Sequence, residues 1–322
     1  MEYGAVWAVI ISFVTSVIAG PLVIPLLRKM KVGQTVREEG PKAHLKKNGT
    51  PTMGGVIIIS AVALTSMFYA KDYPKIIPVL FLMLGFGLIG FLDDYIKVVL
   101  KRSMGLRPLE KFSCQVVVTT IFIYYTHHYT DISTNMLLPF AGSEKYLDLG
   151  IFTVPMMYFV IIGTVNGVNF TDGLDGLAAS VTVLAATFFS VIAIGTGAGI
   201  EPVTCAVVGS LLGFLLFNVH PASVFMGDTG SLALGGFVAA AAYMTQTQLF
   251  LPIVGCVYMI EVCSVIIQVI YFKLTGGKRI FKMAPLHHHF ELCGWSETKI
   301  VAFFAIITAI MSLLSLVLFQ KS

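Results

Sequence analysis

Residues 5–27 carry no charge, and nine further apolar runs follow at 53–69, 76–92, 112–125, 151–164, 177–194, 203–217, 232–244, 249–272 and 300–318. A helix needs about 20 mostly apolar residues to cross the roughly 30 Å of bilayer hydrocarbon, and only helices or closed barrels satisfy their own backbone there. Ten helical crossings joined by mostly short connections leave no room for a soluble domain. The expectation is therefore a single all-α integral membrane domain over residues 1–322, a polytopic bundle of ten helices. Charged residues make up 12% of the chain, about half their share in soluble domains. The runs at 112–125, 151–164 and 232–244 are short, which predicts tilt or local thinning. The chain opens Met1-Glu2-Tyr3, without the basic stretch of a signal peptide, so its first run is expected to be a retained span.

Lysine and arginine set the orientation. The connections after the first, third and ninth runs hold Arg28, Lys29, Lys31, Arg37, Lys42, Lys46 and Lys47, then Lys97, Lys101, Arg102, Arg107 and Lys111, then Lys273, Lys278, Arg279, Lys282 and Lys299. The opposite side has Lys71, Lys75, Lys145 and Lys321. Seventeen against four places those connections in the cytoplasm and, with an even number of spans, both termini outside. The net charge of +4 thus reports topology, and no basic surface interleaved with aromatics points to nucleic acid. Cys114, Cys205, Cys256, Cys263 and Cys293 form no C-x-x-C pair and read as small core filler. The segment 127–150, with Pro139 and Gly142, faces outward and suggests no chemistry.

Three acidic motifs fall at the cytoplasmic ends of apolar runs. Asn166-Gly-Val-Asn-Phe-Thr-Asp-Gly-Leu-Asp-Gly176 places two carboxylates and two amides in what reads as a glycine-broken loop, with Asn169, Asp172 and Asp175 at i, i+3 spacing. Asp93-Asp94 closes the third run, where the negative end of the helix dipole disfavours them. Lys97, four and three residues on, is the nearest cation, and a solvated helix end paired with its own lysine is the plain alternative. Asp228 stands in Phe225-Met-Gly-Asp-Thr-Gly-Ser231, with Asn218 and His220 upstream, where helix capping alone would also account for it. The coincidence of the three motifs argues for more: carboxylates drawn together repel unless a hard cation sits among them, and Mg²⁺ takes one or two carboxylates plus phosphate oxygens.

Other connections carry polar groups. Pro285-Leu-His-His-His-Phe-Glu291 suggests zinc only superficially, since adjacent side chains rarely converge on one tetrahedral ion; donors to anionic oxygens or to a sugar fit better. His44-Leu-Lys-Lys-Asn-Gly-Thr-Pro-Thr-Met-Gly-Gly55 leads into a helix, a place suited to phosphate. Glu261 and Gln268 give the ninth run a polar stripe that must face protein or water. With Pro252 and Gly255 loosening its first turns, this run is expected to wall a groove for a lipid substrate, with Ser264 as a test position.

Taken together, Lys-Asn-Gly-Thr-Pro-Thr-Met-Gly-Gly, Phe-Leu-Asp-Asp-Tyr-Ile-Lys, Asn-Phe-Thr-Asp-Gly-Leu-Asp-Gly, Phe-Met-Gly-Asp-Thr-Gly-Ser and Pro-Leu-His-His-His-Phe-Glu resemble the MraY family of phospho-N-acetylmuramoyl-pentapeptide transferases, within the polyprenyl-phosphate sugar-phosphate transferases. The resemblance runs the length of the chain, and the histidine motif distinguishes this family from its sisters. It implies transfer from UDP-N-acetylmuramoyl-pentapeptide to undecaprenyl phosphate, giving lipid I and UMP in peptidoglycan synthesis at the bacterial inner membrane. It also implies Mg²⁺ held by Asp228, catalytic roles for Asp93, Asp94, Asp172 and His288, and a uridine pocket of Phe225 and the Gly173, Leu174 and Asp175 backbone. Lys47, Lys97, Asn169, Asn218, Ser231, Gln268, His287 and His289 would line the rest, and a homodimer is one assembly it would allow. Phe170 stands where the family leads one to expect leucine.

Exchange of one diphosphate bond for another needs positioning and charge neutralisation. Asp93 or Asp94 would deprotonate or align the lipid phosphate, by direct attack or through a covalent aspartyl intermediate. A sister transferase using UDP-N-acetylglucosamine would differ mainly at the histidine loop. An ion-coupled transporter would keep its acids near the midplane, where only Glu261 lies, and an intramembrane aspartyl protease would need its aspartates inside the spans.

Overall fold

The computed structural model describes residues 2–30, 47, 49–100, 102, 105–133, 135–140 and 145–321. His44, Lys46 and Asn48 of the first basic connection, together with Lys31, Arg37, Lys42, Lys101 and Gly142, lie outside the described residues. Helices cover the predicted apolar runs: α1 (Glu2–Lys29), α2 (Gly55–Met67), α3 (Ile76–Val98), α4 (Pro108–Tyr129), α5 (Thr153–Thr171), α6 (Leu177–Thr196), α7 (Glu201–Asn218), α8 (Gly227–Met244), α9 (Leu251–Val254), α10 (Cys256–Leu274), α11 (Leu286–Leu292) and α12 (Glu297–Lys321). Seven of them, α1, α3, α5, α6, α7, α10 and α12, are long and apolar enough to cross a membrane. Between α4 and α5 a two-residue antiparallel pair sets Met136 opposite Leu147. The Leu137 N–H donates to the Gln246 carbonyl, so this segment is tied to the end of α8.

The helix α8 is the axis of the bundle. Every residue from Thr229 to Met244 is buried, and α3, α5 and α2 pack around it. Its glycines and alanines explain both its low hydropathy and its place: with no side chain at Gly235 and Gly236, the backbones of Val165 and Leu82 come into direct contact. A helix surrounded by protein never meets lipid and needs no lipid-facing surface. Gly90 on α3 does the same beside the Asp228 backbone, and the two helices meet there.

Two local differences from the sequence reading bear on the site. The Asn166–Gly176 motif is half helix and half turn: residues 166–171 continue α5, with the Asn166 amide and Thr171 hydroxyl bonding to the Ile162 and Gly167 carbonyls one turn earlier, side-chain bonds the helix accommodates. The helix stops at Asp172, and Gly176, at φ 76°, supplies the left-handed turn into α6. The ninth run is divided at Gly255, which leaves helical geometry at φ −94°, ψ 24° between α9 and α10. Its polar stripe divides: Glu261 and Ser264 are buried, while Gln268, which bonds to backbone at Ile280 and Phe281, lines a cleft of about 400 Å³ on the surface of α10 together with Val265, Val269, Phe272 and Met283.

Candidate active site

α3 extends one turn past Asp93 and Asp94 to Val98, so both aspartates sit on helix and Lys97 returns to the same side. Their surroundings differ. Asp94 Oδ2 accepts the Thr229 N–H at 2.9 Å and its hydroxyl at 2.7 Å, and Oδ1 accepts the Asp228 N–H at 3.3 Å. The start of α8 has no side-chain cap of its own, and Asp94 supplies one from the neighbouring helix. Asp93 instead faces cations. Its Oδ2 is 2.6 Å from Lys97 Nζ and 3.4 Å from Lys111 Nζ, while Oδ1 accepts the Leu106 N–H at 2.7 Å.

Asp228, in the first turn of α8, shares both lysines: Lys97 Nζ at 2.8 Å and Lys111 Nζ at 3.0 Å. Its other oxygen accepts the Asn169 amide at 2.8 Å, and that amide also reaches Ser231 Oγ at 2.8 Å. Asp172, at the end of α5, is drawn into the same field. Its carboxyl is pushed well above the usual carboxylate range, first by burial and then by the charges of Asp228, Asp94 and Asp175. Four carboxyl groups, Asp93, Asp94, Asp172 and Asp228, thus gather around two ammonium groups, and with the Asn169 amide they form an oxygen-rich donor set that fits one divalent cation.

A second cluster adjoins it. Lys47 Nζ lies 2.7 Å from Asp175 and 2.6 Å from Glu297, and 5.9 Å from the centre of the Phe225 ring. His220 Nδ1 is 3.0 Å from Asp175 and 3.2 Å from Glu297. Asp175, His220 and Glu297 stand close enough to share a metal, but the Lys47 ammonium already bridges the two acids. Burial works against Asp175, yet Lys47, the Ala222 N–H and His220 outweigh it and hold its carboxyl below the usual range. Asn218 staples this region internally, accepting the Gly176 N–H at 3.1 Å and donating to the Val224 carbonyl at 2.9 Å.

The three histidines diverge. His287 Nδ1 is 3.2 Å from Glu261, His288 Nδ1 is 2.7 Å from Glu291, and His289 Nδ1 accepts the Lys282 N–H at 3.1 Å. His287 is buried, whereas His288 is part-exposed.

Comparison with known proteins identifies the family. A family described as "Glycosyl transferase family 4" matches residues 76–246, just over half of the chain, and "Phospho-N-acetylmuramoyl-pentapeptide-transferase signature 1" matches residues 47–59. A phospho-N-acetylmuramoyl-pentapeptide-transferase of Acetivibrio thermocellus is 50% identical over 96% of this chain and 93% of its own. Those of Thermoanaerobacter sp. and Clostridioides difficile are 49% and 47% identical, over 96% and 97% of this chain and 96% of each of theirs. The chain belongs to the phospho-N-acetylmuramoyl-pentapeptide-transferase family.

In this transferase the structure brings Asp93, Asp172, Asp228, Lys97, Asn169 and Ser231 together, and Lys47, Asp175 and Phe225 beside them. Asn218 and Gln268 are engaged with backbone. Lys111 and Glu297 were not assigned to the site from sequence, and His220 was noted only as lying upstream of Asp228. Lys111 had a signal, since a lysine in the first turn of α4 opposes the helix dipole. Glu297 had none, because an acid opening a helix is ordinary.

Proposed function

We propose that this transferase moves phospho-N-acetylmuramoyl-pentapeptide from UDP-N-acetylmuramoyl-pentapeptide to undecaprenyl phosphate, forming lipid I and UMP. The reaction takes place at the cytoplasmic face of the bacterial inner membrane, in a ten-span bundle with both termini outside and with Mg²⁺ as cofactor. The observation that carries the reading is the gathering of Asp93, Asp94 and Asp172 around Asp228, with Asp93 and Asp228 sharing Lys97 and Lys111. Phosphoryl transfer between two diphosphates is chiefly a matter of positioning and neutralisation, and such a site attracts a divalent ion and the phosphates it accompanies.

Asp228, with Asn169 and Asp172 beside it, would hold Mg²⁺, which when bound neutralises diphosphate charge. Asp94 is committed to capping α8, so Asp93 is the aspartate that aligns or deprotonates the lipid phosphate. Lys97 and Lys111, now on Asp93 and Asp228, turn to phosphate oxygens when substrate enters. Lys47, Phe225 and the Gly173, Leu174 and Asp175 backbone receive the uridine end. His288 and His289, with the neighbouring Lys282, meet the sugar and peptide.

Product analysis tests this reading. Purified protein with undecaprenyl phosphate and labelled UDP-N-acetylmuramoyl-pentapeptide should release UMP and form lipid I, with activity lost in EDTA and restored by Mg²⁺. Efficient use of UDP-N-acetylglucosamine instead would assign the sister reaction.

A further inference from the structure

Glu261 is wholly buried near the centre of α10, a helix apolar enough to cross a membrane, and the chemistry above does not use it. An acid at that depth must be held by donors, and its donors come from outside the helix. Oε2 accepts the Leu286 N–H at 2.8 Å and the His287 ring at 3.2 Å, and Oε1 accepts the His287 N–H at 3.2 Å. Leu286 and His287 are the first residues of α11, whose N–H groups have no acceptor within the helix and which has no side-chain cap at Pro285. The cap of α11 is thus lent by α10. Two turns further along, Gln268 ties down Ile280 and Phe281.

The contact continues through the His287 ring. A carboxylate only accepts, so Nδ1 carries a hydrogen toward it. Nε2 is buried without a hydrogen-bond partner among the described residues and is pressed against Gly173, where a Cβ would collide with it. Gly173 begins the turn that ends in Asp175, which Lys47, His220, Ala222 and Glu297 grip from the other side. The turn is held between a charged cluster and an imidazole wedge.

We propose that Glu261 is a positioning residue for the nucleotide substrate: by capping α11 and orienting His287 it sets the Gly173–Asp175 turn at the height that receives the nucleotide. The inference rests on the reading that places the nucleotide at this turn. Glu261 itself touches no substrate.

Glu261→Gln is nearly isosteric, but its NH₂ must meet one of the three donors, so a cap bond is lost or the ring changes tautomer. Initial rates of UMP release should show KM for UDP-N-acetylmuramoyl-pentapeptide raised about tenfold, with kcat and KM for undecaprenyl phosphate within about twofold. Leu286→Pro removes one donor from the α11 side and sets its ring carbon against Glu261 Oε2, at a first helical position that accepts proline; it should move the same parameter about threefold. Added to His287→Ala, Glu261→Gln should raise the nucleotide KM by no more than about threefold, the share of the cap, because the rest of its effect acts through that ring. Equal changes toward both substrates, or an unshifted nucleotide KM in both variants, would overturn the inference; if Glu261→Gln fails to accumulate, Leu286→Pro decides. Wild-type protein that releases no UMP would instead overturn the functional reading beneath it.

Discussion

Asp172 and Asp175 lie three residues apart on one turn, yet they belong to clusters of opposite character. Asp175 meets Lys47, His220 and the Ala222 N–H and is held below the usual carboxylate range despite its burial. Asp172 meets burial and three other aspartates and is pushed above that range. Around Lys47 one ammonium bridges both acids, and the contacts lock backbone in place. Around Asp228 four carboxyl groups gather on two lysines, a donor set suited to a divalent cation.

Four substitutions probe that contrast. Asp228→Asn should have the largest effect, a fall in kcat of about 10³-fold, with the melting temperature within about 2 °C of wild type; wild-type turnover across a magnesium titration would dissolve the distinction between the clusters. Lys111→Ala follows, with kcat lower by about 10²-fold and part of the loss recovered by Lys111→Arg. An unchanged rate would leave Lys97 as the single working cation. Lys47→Ala, in the cluster around Asp175, should raise KM for the nucleotide about tenfold while kcat stays within about threefold. A matching fall in kcat would merge the two clusters into one.

The smallest effect concerns stability. The Asp172 carboxyl has a raised pKa in the fold, so its contribution to stability is complete below the ordinary aspartate value of about 3.9 and is lost as pH rises through the folded value. Asp172→Asn should therefore melt about 2 °C above wild type at neutral pH in EDTA, with the gap closing toward about pH 4 and narrowing when Mg²⁺ is added. A gap independent of pH would make Asp172 an ordinary packing position. The same variant should be inactive, which separates its part in function from its effect on stability.

Much of the site was legible in the sequence. Asp93, Asp228 and Asn169 stand out because acids and amides at the ends of apolar runs are costly unless used, and the structure brings them within hydrogen-bonding reach of common partners. Pro252 and Gly255 marked the break between α9 and α10. Other readings were met only in part. The glycines of Asn166–Gly176 suggested a loop, but Gly167 serves close packing against Tyr258 and the helix runs on to Thr171. Glu261 and Gln268 suggested a groove; Glu261 is buried on the backbone that opens α11, while Gln268 lines the cleft beside α10.

By itself the sequence determined that the chain is helical and where its helices fall, because burial in hydrocarbon and backbone hydrogen bonding are satisfied within each segment. It also determined which residues are charged at the ends of those segments. Only the tertiary structure decided that Asp94 caps a helix 135 residues away while its neighbour Asp93 faces two lysines. A carboxylate's role is set by the few groups within about 4 Å, and here those groups arrive from α4, α5 and α8.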